Sequence, residues 1–172
     1  MDPHLAKLQR EIAASITELS PEQLKCGLPG KWSSAEILEH LYLTYTGTIR
    51  GFGRVLAEGK PLASKVYWKH RGRALVVVGF GYMPTGRKSP AIALPNGIAP
   101  ERVSADIATA IVQMDELMSQ CASRFGPRVK VLDRPVLGPL SVAQWRKFHF
   151  VHGMHHVKQI HRLREMIDRG MV

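Results

Sequence analysis

The sequence predicts an all-α protein, a four-helix bundle in which a long crossover connection joins the second helix to the third. Four segments of the chain repeat apolar residues at helical spacing. Two of these segments open with the residue pair of a capping box. One long stretch rich in glycine and proline, from Lys60 to Pro100, separates the second segment from the third. A connection of that length allows these two helices to run parallel.

The first two helices follow from their start signals and apolar spacing. Asp2 is a suitable N-cap for the first helix, and residues 20–32 should form a turn or a short extra helical turn. Ser33 and Glu36 have the spacing of a capping box and open the second helix, which should end near Gly59. The apolar faces are Leu5, Leu8, Ile12, Ile16 and Leu19 in helix one, and Ile37, Leu41, Thr44, Thr48, Gly51 and Val55 in helix two.

The connection from Lys60 to Pro100 is the irregular part of the chain. The apolar run of residues 75–78 is too short for its periodicity to distinguish a strand from a helix, and we expect a short helix followed by a loop. The whole segment could serve as a lid or as a dimer arm.

The last two helices carry the clearest helical pattern. Helix three should run from Glu101 to near Gly126, followed by the connector "GPRVKVLDRPVLGPL". Ser141 with Gln144 forms another capping-box pair, and the helix that it opens should reach Asp168. The apolar face of helix three is Val103, Ile107, Ile111, Met114, Leu117, Met118 and Cys121.

The composition indicates a single domain over residues 1–172. Hydrophobic residues make up 45% and charged residues 22% of the 172 residues, as is ordinary for a packed globular protein. The amino terminus has no signal-peptide pattern and no apolar run is long enough to span a bilayer, so we expect a cytoplasmic protein without a membrane partner. The two cysteines, Cys26 and Cys121, lie far apart and should be free thiols.

The charge raises the question of a polyanionic partner. A formal net charge of +10 could attract nucleic acid. The basic residues are spread along the whole chain, however, and no alternation of aromatic and basic residues indicates single-strand binding. The pattern therefore disfavours nucleic acid as the partner.

The last helix concentrates histidine. Four of the eight histidines of the chain lie in "HFVHGMHH", starting at His149. A buried imidazole must satisfy both ring nitrogens, so several side by side without partners would be costly, and a metal ion removes that cost. At about 100° per residue, one stripe of this helix contains Val142, Trp145, His149, His152, His156, Ile160, Leu163 and Ile167.

The spacing of these histidines favours a metal site shared with helix two. His152 and His156 are four residues apart, the spacing at which one helix supplies two ligands to one ion. Helix two offers His40, with Glu36 one turn earlier on nearly the same side. Three nitrogens from two helices leave coordination positions open, as in catalytic sites.

Alternatives remain at this point. His149 shares the face of His152 and His156 and competes as a ligand, and each histidine could instead be a hydrogen-bonded packing residue. The other histidines, His4, His70, His155 and His161, are expected on the surface or in connectors.

Two blocks of sequence resemble a known superfamily. "GKWSSAEILEHLYLTY" and, about a hundred residues later, "WRKFHFVHGMHHVKQIHRL" are similar to the DinB-like superfamily, which includes bacillithiol- and mycothiol-dependent transferases. The resemblance covers nearly the whole chain. It implies that His40, His152 and His156 bind a divalent ion, zinc or nickel, with iron or manganese as alternatives and with water completing the shell. By the same resemblance His149 lines the site, and the protein forms a homodimer.

The resemblance also implies a chemistry. The ion would act as a Lewis acid that activates a thiol or a water, so the protein would be a transferase or hydrolase whose small-molecule substrate is used with a low-molecular-weight thiol. Glu36 would be an acceptor or proton carrier beside the site, and Gln159 would orient a ring or a water. The middle stretch "GYMPTGRKSP" departs from the transferases and looks like another branch of the superfamily.

Three functions from different classes therefore stand side by side. A metal-dependent enzyme loses activity when His152 becomes alanine while its helical fold survives. A non-catalytic metal- or small-molecule-binding stress protein binds tightly but forms no product. A dimeric interaction module with structural histidines is unaffected by a chelator.

Overall fold

The computed structural model describes residues 1–65, 67–83 and 89–170. These parts of the chain are mostly helical, as the sequence predicts, and none of their helices has the length and apolar content that crossing a bilayer requires. The helices are α1 (Pro3–Ile16), α2 (Pro21–Lys25), α3 (Ser34–Glu58), α4 (Trp68–Ala74), α5 (Pro100–Phe125) and α6 (Val142–Asp168), and a hairpin is formed by β1 (Lys130–Arg134) and β2 (Gly138–Ser141).

The helix starts agree with the predicted caps. The Asp2 side chain accepts a hydrogen bond from the backbone N–H of His4 at 2.9 Å. Ser33 with Glu36 forms both halves of a capping box, and at the start of α6 the Gln144 side chain accepts from the backbone N–H of Ser141 at 3.1 Å. The predicted extra turn after α1 is confirmed as α2. These caps could be predicted from the sequence because each involves residues within one helical turn of each other.

The two-stranded hairpin corrects the prediction of a purely helical fold. The expected connector after α5 contains antiparallel strands in which Lys130 pairs with Ser141 and Arg134 with Gly138. Strands of five and four residues give no periodic signal that distinguishes them from a loop. Their position is set by tertiary contact, because the Trp145 indole N–H donates to the Leu132 carbonyl at 3.2 Å.

The connection between α3 and α5 is partly helical. The expected short helix at residues 75–78 is present as a π-helical turn, Leu75–Gly79, that continues α4. A short 3₁₀ turn, Ala91–Ala93, follows before α5. Residues 84–88 of the stretch "GYMPTGRKSP" lie outside the described residues.

Helices α3 and α5 run parallel. Near their carboxyl ends, the Arg124 guanidinium of α5 donates to the Leu56 carbonyl of α3 at 3.0 Å. Near their amino ends, the Glu39 carboxylate of α3 accepts from the backbone N–H of Asn96, just before α5, at 2.7 Å. The long connection between the two helices therefore returns the chain to the end at which α3 begins.

Helix α6 runs parallel to α1 and antiparallel to α3. Arg164, late in α6, donates to the Thr17 carbonyl just after α1 at 3.1 Å. Against α3, Trp145 lies beside Phe52, with ring centroids 5.7 Å apart, whereas His156 lies beside His40 at 4.9 Å. The late part of α6 therefore meets the early part of α3.

A glycine allows α6 to approach α1 closely between two of the candidate ligands. A Cβ atom on Gly153 would lie 2.4 Å from a methyl carbon of Leu8 and 3.1 Å from the Tyr45 hydroxyl. Both neighbours are fully buried, so neither can move aside without disturbing the core. The absence of a side chain at this position therefore allows α6 to pack closely enough for His152 and His156 to be buried.

Candidate metal centre

The structure brings His40 of α3 together with His152 and His156 of α6. One ring nitrogen from each lies within 4.8 Å of the others, and the ring centroids are 4.7 to 5.2 Å apart. The three residues are 2%, 7% and 8% exposed, respectively. These three buried histidines, drawn from two helices, could hold a metal ion.

Two of the three rings are fixed in the tautomer that a ligand needs. The Nδ1 of His40 lies 2.7 Å from the Ala93 carbonyl oxygen, which can only accept, so Nδ1 carries the hydrogen. In the same way, Nδ1 of His156 donates to Oε1 of Gln159 at 2.7 Å. Each ring therefore presents an unprotonated Nε2, the arrangement that outer hydrogen bonds impose on metal-binding histidines.

The spacing of the ring nitrogens suits a small cation. The Nε2 atoms of His40 and His152 are 3.2 Å apart. Two nitrogens held at about 2.0–2.1 Å from a tetrahedral zinc ion are separated by about 3.3 Å. The Nδ1 of His152 is buried without a hydrogen-bond partner, so this cluster is not fully satisfied within the protein.

The electrostatics keep the cluster neutral. Burial lowers the pKa of His156 to about 3, and burial likewise lowers the pKa of His40 and, more strongly, that of His152. The positive charge of Arg134 lowers the pKa of His40 and His152 further. Neutral imidazoles can coordinate a cation without first losing a proton.

His149, the competing ligand, lies outside this group of three. Its Nε2 is 3.2 Å from the hydroxyl of Thr48, and that hydroxyl donates its own hydrogen to the Thr44 carbonyl at 2.9 Å. The imidazole therefore donates to Thr48, while its ring stacks on Trp145 with centroids 5.6 Å apart. Its Nδ1 is buried without a partner.

Of the two other predicted site residues, one contacts the cluster and the other lies in a helix cap. Gln159 holds the ring of His156 through Oε1, and its amide nitrogen contacts Nε2 of His155 at 3.3 Å. Glu36 uses Oε2 to accept from the backbone N–H of Ser33 at 2.8 Å, which places its carboxylate in the capping box. Of the remaining histidines, His4 and His161 are exposed, and His70 and His155 are half-buried.

Three contributors to the site were not predicted from the sequence. The Ala93 carbonyl and the Arg134 guanidinium come from the connection and from the hairpin, where no periodic pattern pointed to them. Glu39 is 3% exposed and accepts from the backbone N–H groups of Asn96 and Gly97 at 2.7 and 3.2 Å. The available signal that this carboxylate is buried was its apolar surroundings in α3, where Leu38 precedes it and Ala35 and Leu43 lie one turn away.

Fold and site together define a mostly helical protein with a buried cluster of three histidines that could hold a metal ion. The chain belongs to a family described as protein of unknown function (DUF1569), whose model matches residues 4–163. Comparison with curated proteins and with solved structures found no match.

Proposed function

We propose that this protein is a metal-dependent enzyme built on a DinB-like four-helix bundle, in which α1, α3, α5 and α6 are the four helices. The parallel course of α3 and α5 and the long connection between them support this topology. Ligands on facing helices of a bundle are a common way to build a metal site.

The observation that carries the proposal is the cluster of His40, His152 and His156, whose ring nitrogens already converge. Two of its rings donate from Nδ1 to an oxygen, which leaves their Nε2 atoms unprotonated. A packing role alone gives no reason for three buried rings to converge, because a buried ring nitrogen without a partner costs about 1–3 kcal/mol and Nδ1 of His152 is such an atom.

The donor set fits zinc or nickel, with iron or manganese as alternatives. Such an ion is a Lewis acid that lowers the pKa of a thiol or a water and so supplies a nucleophile near neutral pH. The chain's own residues hold and orient the ligands: Ala93 fixes His40 and Gln159 fixes His156. A low-molecular-weight thiol acting on a small-molecule substrate, in transfer or hydrolysis, is the reaction that we assign, in a cytoplasmic homodimer.

The metal content of the untagged protein tests the site. We expect about one divalent ion per chain in protein loaded with zinc or nickel and then desalted, and loss of that ion in His152→Ala with the helical circular dichroism unchanged. His161→Ala, which removes an exposed histidine of the same helix, is the matched control and should keep the ion. Full retention of metal by His152→Ala would reject the site.

Turnover distinguishes the enzyme from a protein that only binds metal. The loaded protein should accelerate consumption of cysteine, glutathione or coenzyme A with a fluorogenic haloalkyl electrophile such as monochlorobimane, and His152→Ala should not. A tightly metal-bound protein that accelerates none of these reactions, and hydrolyses no ester or amide probe, would instead be the non-catalytic binding protein.

A further inference from the structure

Arg134, at the end of β1, is a cation without an anionic partner. Its Nε is buried and has no hydrogen-bond partner. Within the described parts of the chain no carboxylate pairs with it, and the side chains outside those parts include neither Asp nor Glu. Burial lowers the pKa of Arg134 to about 10, which still leaves the group charged near neutral pH.

Other arginines in the structure have the partners that Arg134 lacks. Arg146 pairs with Asp115 at 2.6 Å, and Arg164 pairs with Glu18 at 2.6 Å. The partner of Arg134 is an aromatic ring, since its Cζ lies 4.6 Å from the centroid of Phe148. A cation–π contact of this kind does not neutralise the charge.

Phe148 connects Arg134 to the histidine cluster. The same ring stacks on His152, with centroids 5.3 Å apart and planes inclined by 16°. The guanidinium is close enough for its charge to act on His40, His149 and His152. It therefore lies beside the cluster rather than on a separate surface.

The nearby carboxylates are used elsewhere. Glu36 is bound in its capping box, and Glu39 holds the backbone N–H groups of Asn96 and Gly97. A divalent ion on three neutral imidazoles next to Arg134 would give a centre of strongly positive charge. Such a centre favours an anionic ligand, and the planar guanidinium fork matches a carboxylate or a phosphate.

We propose that Arg134 binds an anionic oxyacid group of the substrate, a carboxylate or a phosphate, while the reacting part of the same molecule lies at the three-histidine cluster. This inference rests on the proposed function, because it assigns the substrate class of that site. Arg134 is only partly buried as a residue, and Nε is the nitrogen of its guanidinium that is buried without a partner.

Titration of the full-length, zinc-loaded protein with succinate and with inorganic phosphate at constant ionic strength tests the proposal. We expect at least one of these anions to bind and to raise the unfolding temperature, whereas succinamide, the uncharged analogue, does not. Arg134→Met should weaken that binding by at least tenfold and Arg134→Lys by less. The tighter of the two anions identifies the oxyacid group.

Arg102→Met is the matched control, because it removes the same charge from an exposed site on α5 and should leave anion binding unchanged. Without added anion, Arg134→Met should unfold at the same or a higher temperature than the wild type, since it removes an unpaired and partly buried charge. If Arg134→Met does not fold, the same titration is done with Arg134→Lys and Arg134→Gln, and both should bind the anion more weakly than the wild type.

The outcomes separate this inference from the metal site. Zinc bound normally with no binding of either anion, or equal anion binding by wild type and Arg134→Met, overturns the role of Arg134 and leaves the metal site standing. Arg134-dependent anion binding in a protein that holds no metal supports the anion site and contradicts the proposed metal-dependent function.

Discussion

Two polar clusters in this protein, each with at least one buried member, are built in opposite ways. In the first, which we call the charge cluster, the Asp115 carboxylate accepts from Arg146 and from the backbone N–H of Asp2, at 2.7 Å in each case. Arg146 also donates to the Ser119 hydroxyl at 2.7 Å. In the second, the three-histidine cluster with Arg134, Nδ1 of His152 and Nε of Arg134 have no hydrogen-bond partner.

The difference shows which polar groups serve the fold and which are available for a ligand. The charge cluster joins α1, α5 and α6, and its buried carboxylate is fully used within the protein. The histidine cluster leaves buried polar atoms that cost about 1–3 kcal/mol each. An anion that reaches Nε of Arg134 would remove part of this cost, whereas an ion held at Nε2 of His152 would leave Nδ1 of that ring without a partner.

The largest expected effect comes from breaking the charge cluster. Asp115→Ala should lower the free energy of unfolding by about 3 kcal/mol, because it leaves Arg146 and the N–H of Asp2 without their acceptor. Urea unfolding measures the change. Asp106→Ala, at an exposed position of the same helix, should cost less than about 0.5 kcal/mol. Equal effects of the two substitutions would mean that the charge cluster does not stabilise the fold.

A smaller effect is expected at the carboxylate that holds the connection over the site. Glu39→Ala should lower the free energy of unfolding by about 2 kcal/mol, since two backbone N–H groups lose a charged acceptor. It should also weaken zinc binding, because the segment that it releases carries the Ala93 carbonyl that orients His40. Glu58→Ala, at an exposed position of α3, is the control, and unchanged zinc affinity in Glu39→Ala would separate the two roles.

The smallest effect is a pH dependence of the metal-free protein. Burial, and then the charge of Arg134, hold the pKa of His149 well below its ordinary value of about 6.5. The unfolded chain therefore takes up a proton that the folded protein refuses, so the stability from this group is present above pH 6.5 and is lost as the pH falls below it. One such group costs about 1 kcal/mol between pH 6.5 and 5.5.

His149→Gln should reduce that pH dependence by about the same amount, because glutamine can still donate to Thr48 but does not titrate. Unfolding in urea at a series of pH values, in the presence of a chelator, measures the slope. His161→Gln, at an exposed position, should leave the slope unchanged. A slope unaffected by His149→Gln would show that this ring takes up its proton at the same pH in the folded protein as in the unfolded chain.

The local signals in the sequence predicted the helices well. Caps such as Ser33 with Glu36 define helix starts because both partners lie within one turn. The hairpin was missed because Leu132 is held by Trp145, a contact that no periodicity reveals. The direction of α3 relative to α5 was open in the sequence, and two contacts show it together, Leu56 with Arg124 at one end and Glu39 with Asn96 at the other.

The site was predictable only where its residues share a helix face. His152 and His156 are one turn apart on the core side of α6, and that spacing predicted that they could share one ion. The choice of His40 as the third residue rested on the resemblance to a known superfamily, and the structure brings the three together. His149 has the same orientation about the helix axis but lies one turn earlier, beside Thr48, and orientation alone cannot distinguish such depths. The position of Arg134 beside the histidines could not be predicted, because this residue belongs to the hairpin that the sequence did not reveal.

The hydrogen bond from His40 to residue 93 determines which mutations near the site should be tolerated. The acceptor is a main-chain oxygen, so replacing the alanine side chain leaves it in place. Insertions or deletions in the neighbouring segment would displace it, because they alter where the chain passes over the ring. The tautomer and orientation of the His40 ring therefore depend on the length of this segment more than on which amino acids it contains.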